Sequence, residues 1–166
     1  PQIMSQLDAL LDNPTVEIIE SSAEFSSSQA ESVRDGNNRA AAAIIRDEKG
    51  RILLMRRSDR GWRLPGTDVG SVTEFEKRLR DALHDRVGIQ ATTVTPTRIH
   101  KHRAENYDDV PPYHYVLFDV EPEESPSMID DSPNDSIELR WFSDQPDNVL
   151  NEGVMSHIFR NKTTNP

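Results

Sequence analysis

Apolar residues fall in short, separated blocks along this chain, and their spacing switches between the two-residue period of strands and the three-to-four-residue period of helices. Ile3, Leu7, Leu10 and Leu11 sit at helical spacing within residues 2–12, and Asn13-Pro14 closes that segment. Residues 15–20 alternate weakly and predict a short strand. Residues 21–38 are rich in Ser, Glu and Asp, carry Phe25, Ala30 and Val33 as anchors, and end on the turn-forming Gly36-Asn37-Asn38. This first part predicts an N-terminal extension over residues 1–38, a helix and a short strand with partly flexible stretches.

Further on, residues 40–45 and 52–55 are apolar runs around Asp47-Glu48-Lys49-Gly50, which reads as a β-hairpin. Residues 92–102 are β-branched and alternating, and residues 107–112 read as a loop. Residues 113–120 predict a strong strand, with Tyr113, Tyr115 and Leu117 on one face and His114, Val116, Phe118 and Val120 on the other. An acidic loop spans 121–135, and residues 137–142 predict a last strand. Val149, Leu150, Val154, Ile158 and Phe159 suit a C-terminal helix. The order predicts a mixed α/β (α+β) domain in which strands outnumber helices.

The most informative stretch is 61–89. Trp62, Leu64, Pro65 and Gly66 lead into Thr73 and Glu76, which have the form of a capping box and predict a helix beginning near Glu74. Phe75, Leu79, Ala82 and Leu83 then share one face, and Gly88 suits the position just past the helix end. In register, Trp62, Leu64, Pro65, Gly66, Leu83, Gly88 and Ile89 resemble the Nudix hydrolase signature, Gly-x5-Glu-x7-Arg-Glu-aliphatic-x-Glu-Glu-x-Gly-aliphatic. Residues 52–57 are similar to the family's strand before the motif, and residues 139–142 to its late strand. The resemblance implies a Nudix-like α/β/α sandwich over residues 39–160, with a short tail at 161–166.

Most of the box's acids are replaced. Thr67 stands at its first Gly, Thr73 at its first Glu and Asp81 at its Arg, while Ala82, Asp85 and Arg86 occupy the three helix glutamates. The family cleaves diphosphate linkages with Mg²⁺ or Mn²⁺, and a hard cation needs several carboxylate oxygens at once. Ala82 supplies none, and Arg86 puts a like charge where the cation would sit. Asp85 is the catalytic position that keeps an acid. Asp81 and Asp85, spaced i, i+4 with His84 beside them, are the candidate metal ligands, although a solvated acidic helix face is the favoured reading. Arg56, Arg57 and Arg86 are the candidate phosphate ligands. Glu121, Glu123, Glu124, Asp130 and Asp131 of the acidic loop would be the source of a general base. His100 and His102 alternate on one strand face and are expected at the surface. Trp62 and Trp141 are expected to pack rather than to stack on bases.

Composition narrows the partners. The net charge is −10, with 29 acids against 19 basic residues, of which only Lys49, Lys77, Lys101 and Lys162 are lysine. An acidic, lysine-poor surface stays soluble when salt screens repulsion, which points to a halophilic, haloarchaeal-like protein. Such a charge disfavours broad nucleic-acid and anionic-membrane binding. There is no cysteine, so thiol catalysis and Cys-based zinc sites are absent. With no apolar run of membrane length and no leader pattern, a cytoplasmic location is expected, and Pro1 suggests a removed initiator methionine. The expectation is therefore a Nudix-fold protein that binds a nucleotide, diphosphate ligand or protein partner without efficient hydrolysis, with a homodimer an open case. The alternative is a divergent metal-dependent hydrolase of nucleoside diphosphate-linked compounds.

Overall fold

The computed structural model describes residues 6–57, 60–69, 74–133, 136–150 and 152–162. Its hub is β2 (Arg39–Ile44), a strand made largely of alanine. Alanine is a poor strand former, so tertiary context makes this segment a strand. Its small side chains let layers approach from both sides. Ala41, Ala43 and the following Ile45 face a cluster that includes Phe75, Leu79, Leu83 and Val87 of α3 (Phe75–Val87). Ala40, Ala42 and Ile44 face a second cluster with Val154, Met155, Ile158 and Phe159 of α4 (Glu152–Lys162).

The same division runs along neighbouring strands. In β3 (Ile52–Arg57), Leu53 and Met55 join the α3 side, and Ile52 and Leu54 the α4 side. In β6 (Tyr113–Pro122), Val116, Phe118 and Val120 face α3, and Tyr115 and Leu117 face α4, as the alternation predicts. The result is an α/β/α sandwich.

The larger sheet has the order β1-β5-β6-β2-β4, with β1 (Glu17–Ala23) at one edge, β5 (Ala91–Ala104) next to it and β4 (Gly66–Asp68) at the other edge. β1 runs parallel to β5 and β2 parallel to β6. The expected hairpin over 40–55 is much shorter than the two apolar runs. Just beyond β2 the chain makes a brief antiparallel contact, with the Arg46–Ile52 bridge and Leu53 N donating to Ile45 O, around a turn in which Gly50 has φ +78°. Both edges of β2 are taken by β6 and β4, so β3 diverges and pairs with β7 (Ile137–Phe142) in a separate two-stranded sheet.

α3 follows its sequence signal closely at the C-terminal end. Gly88 adopts φ +70°, and the amides of Gly88 and Ile89 donate to the carbonyls of His84 and Leu83. At the other end the N-cap is Glu74, with no side-chain hydrogen bond, rather than the expected Thr73, which lies outside the described residues.

The N-terminal elements belong to the same core. Leu7 of α1 (Gln6–Leu11) and Val16 beyond it are buried in the α3-side cluster, with Leu10 and Leu11 packed against it. α2 (Ser27–Arg34) begins at a capping box in which Ser26 and Gln29 bond each other's backbone amides. Because Leu7 fills part of the shared core, Leu7→Ala is expected to cost about 2–3 kcal/mol. Urea unfolding read by circular dichroism checks this, and an unchanged midpoint would mean that α1 adds nothing to the core.

Candidate functional site

A cleft forms where β3, the loop after it and the motif loop converge beside the first residues of β6. Arg63 is fixed opposite β3, since Met55 N donates to Arg63 O at 2.7 Å and Arg63 N to Met55 O at 2.9 Å. Pro65 O accepts from Ala43 N at 2.8 Å, which pins the motif loop to β2. α3 then brings Arg86 across, with its Nη1 3.5 Å from Gly66 O. These interactions leave a cavity of about 450 Å³ lined by Arg57, Arg60, Arg63 and Arg86, with Asp68, Thr67, Tyr113 and Tyr115 among its other walls.

Among the described residues, four guanidinium groups therefore share a cleft with one carboxylate, in a chain whose net charge is −10. Burial pushes the Arg63 guanidinium down from its usual range, and repulsion from Arg57, Arg60 and Arg86 adds to that shift. Burial, with Asp68 beside it, pushes the Tyr113 phenol up to about 12, so it remains a hydrogen-bond donor at neutral pH. A cleft of this kind gains free energy when a polyanion neutralises it.

No family model matches the sequence, and no curated protein does. Solved structures do. A UDP-X diphosphatase superposes with a TM-score of 0.58 at 14% identity, covering 98% of this chain and 72% of its own. MutT from Burkholderia pseudomallei gives 0.55 at 20% identity over 74% of this chain and 95% of its own. A MutT protein from Bacillus halodurans gives 0.55 at 18% over 74% and 79%. The fold is that of the Nudix hydrolases. The 98% coverage means that the likeness to the UDP-X diphosphatase takes in the N-terminal elements as well.

On this Nudix fold the box helix carries few oxygens. Asp81 is exposed and paired with Lys77 at 3.1 Å, and Asp85 is exposed beside His84 Nδ1 at 3.1 Å. Ala82 is half-buried, and Arg86 turns towards the motif loop. Thr73 lies outside the described residues. Among the described residues, no three His, Asp or Glu side chains converge as metal ligands. With a methyl at position 82 and a guanidinium at 86, this donor set does not fit a hard divalent cation.

Of the arginines expected to hold phosphate, Arg57 and Arg86 meet in the cleft. Arg56 does not: it bonds Glu138 at 2.6 Å and lies 4.5 Å over the Trp62 ring. Strand alternation explains the split, because Arg57 follows Leu53 and Met55 to the α3 side while Arg56 follows Leu54 to the α4 side. Arg60 and Arg63 are additions that the sequence reading misses, although the three-residue spacing 57, 60, 63 is a signal for them. In the acidic loop, Asp130 and Asp131 line a different cavity, with Asp47 and Trp141. Trp62 is buried, edge-on to Phe142 at 4.9 Å, which is a packing role.

The histidines correct the expectation of surface residues. His100 is only 3% exposed, with its ring 5.8 Å from that of His157 on α4, and His102 Nδ1 lies 2.7 Å from Ser21 Oγ. His157 of α4 packs against His100 on this face, and β1, paired beside β5, brings Ser21 next to His102, neither of which a local pattern reveals. His114 is also buried, with no hydrogen-bond partner at either ring nitrogen among the described residues. Burial first, then nearby cations, lowers both His100 and His114 to about 4. Their folded values lie below the unfolded value, so the folded state resists protonation. The associated stability is present above about pH 6.5 and lost as pH falls towards 4, by roughly 2–3 kcal/mol per histidine. The urea midpoint should drop across that window, and His100→Leu with His114→Leu should flatten the drop. An unaltered pH profile in the double variant would sink this account.

Proposed function

We propose that the chain binds a nucleotide-like diphosphate in the arginine-lined cleft and does not hydrolyse it efficiently. The observation that carries this reading is the convergence of Arg57, Arg60, Arg63 and Arg86 on one cavity beside the box helix. Guanidinium groups neutralise phosphate oxygens and bond them in pairs, which gives affinity without a metal. The chemistry of cleavage needs more. A diphosphate linkage breaks readily when a cation stabilises the leaving oxygens and a base activates water. Position 82 offers no oxygen, and Asp85 is a single shortened acid. The UDP-X diphosphatase, whose likeness spans nearly this whole chain, supports nucleoside diphosphate compounds as the ligand class.

The test pairs binding with turnover. Calorimetric titration should detect pyrophosphate and nucleotide sugars in KCl. A screen of nucleotide sugars, dinucleoside polyphosphates and nucleoside triphosphates with Mg²⁺ or Mn²⁺ should stay at background. Robust metal-dependent turnover lost on Asp85→Asn would instead establish a divergent hydrolase.

The box itself can be repaired as a check. Ala82→Glu with Arg86→Glu, Asp85 kept, would place three carboxylates on one helical face. Mn²⁺ affinity should rise about tenfold or more in the double variant and much less in either single one, since one cation needs several ligands together. Equal affinity in wild type and double variant would contradict the depleted-donor explanation.

A further inference from the structure

A second cavity of about 450 Å³ adjoins the arginine-lined one, and Tyr113 and Tyr115 line both. Its other walls come largely from the N-terminal elements. Phe25, Gln29, Ser32, Val33 and Asn37 line it, together with His102 of β5. The walls are fixed by the fold itself. The Asn106 side chain grips the Phe25 backbone from both sides, accepting from Phe25 N at 2.9 Å and donating to Phe25 O at 2.9 Å. The Ser26–Gln29 capping box sets the start of α2, and Asn37 Nδ2 donates to Ser32 Oγ at 3.3 Å.

The two cavities differ in chemistry. One is cationic. The other presents an aromatic ring, aliphatic Val33 and neutral amide and hydroxyl groups, with Glu24 at its wall. A phosphate moved into the second cavity would lose water without gaining a counter-charge, and Glu24 would repel it. A planar, uncharged heterocycle suits it, because aromatic faces stack on any base and the amides can meet polar ring edges.

We infer that the two cavities form one bipartite site: the diphosphate lies among the arginines, and the nucleobase of the same ligand lies in the N-terminal cavity against Phe25 and Tyr113. This rests on the anion-binding reading above and extends it, since it assigns the N-terminal elements the role of distinguishing a nucleotide from a bare diphosphate.

Calorimetry on the full chain, at matched KCl, tests it with inorganic pyrophosphate, ADP, GDP, CDP and UDP as probes. At least one nucleoside diphosphate should bind about tenfold or more tighter than pyrophosphate, the scale of one base stacked on an aromatic side chain. Phe25→Ala should erase that advantage and leave pyrophosphate affinity within about twofold, as expected of a change remote from the phosphates. Ser32→Trp provides a second route: it adds a ring on the exposed surface of α2 and fills the cavity, with the loss of only the long, exposed Asn37–Ser32 hydrogen bond. It should have the same effect. Equal affinity for pyrophosphate and all four nucleotides would overturn the inference, as would variants that weaken pyrophosphate as much as nucleotide. If pyrophosphate itself fails to bind the wild type, the anion-binding reading falls and the bipartite site with it.

Discussion

Replacing Arg57 and Arg86 together by alanine is expected to weaken pyrophosphate binding about a hundredfold. Each guanidinium that bonds a phosphate oxygen contributes roughly 1.5 kcal/mol or more, and two such losses make about 3 kcal/mol. Stability should hardly change, because both side chains are exposed and lie among like charges. Relief of their mutual repulsion offsets the removal of the long Arg86–Gly66 O hydrogen bond. Arg56→Ala is the control. Its charge is engaged by Glu138 and its plane by Trp62, so binding should be retained. Per charge removed, the comparison separates a defined cleft from a general effect of net charge, since the control lowers the charge by one and the cleft variant by two. Pyrophosphate affinity within about twofold of wild type in the Arg57/Arg86 variant, or equal loss in the Arg56 variant, would defeat the proposed ligand site.

Gly66→Ala is expected to cost about 3 kcal/mol or more and to abolish ligand binding with it. A Cβ at this position would fall on the carbonyl oxygen of Ala41 and within 2.9 Å of Ala42 Cα. Both obstacles are backbone of the central strand, so no side-chain rotation relieves them. β4 would have to separate from β2, whose pairing runs through Ala42 opposite Gly66, Ala41 opposite Thr67 and Ala40 opposite Asp68. That movement also displaces the Gly66 carbonyl near Arg86. Thermal unfolding should show a large drop in midpoint, whereas Gly153→Ala, where an added Cβ meets nothing within 4 Å, should be neutral or stabilising. A Gly66→Ala protein as stable as wild type would mean that the motif loop and β2 do not approach as closely as described.

Local pattern carried much of this fold. The spacing of Phe75, Leu79 and Leu83 fixes the buried face of α3, with Ala82 at its margin, and Gly88 fixes its end through a backbone conformation that other residues adopt at a cost. Alternation in 113–120 sorts the two faces of β6 correctly, because a strand's side chains reverse at every residue whatever surrounds it. The Trp62-to-Ile89 frame carried the architecture, since it is a matter of residue identity at fixed spacing.

Tertiary structure decided what depends on partners distant in sequence. Two apolar runs around a turn look like a hairpin, yet β6 and β4 occupy both edges of β2 and send β3 to β7. His100 and His102 look exposed until α4, from near the end of the chain, sets His157 against His100 and β1 brings Ser21 beside His102. Arg57, Arg60, Arg63 and Arg86 are separate cations in the sequence, and only the return of α3 across the motif loop sets them around one cavity. Side-chain period is a property of the local backbone, whereas strand partners, burial and the meeting of like charges follow from how the chain returns on itself.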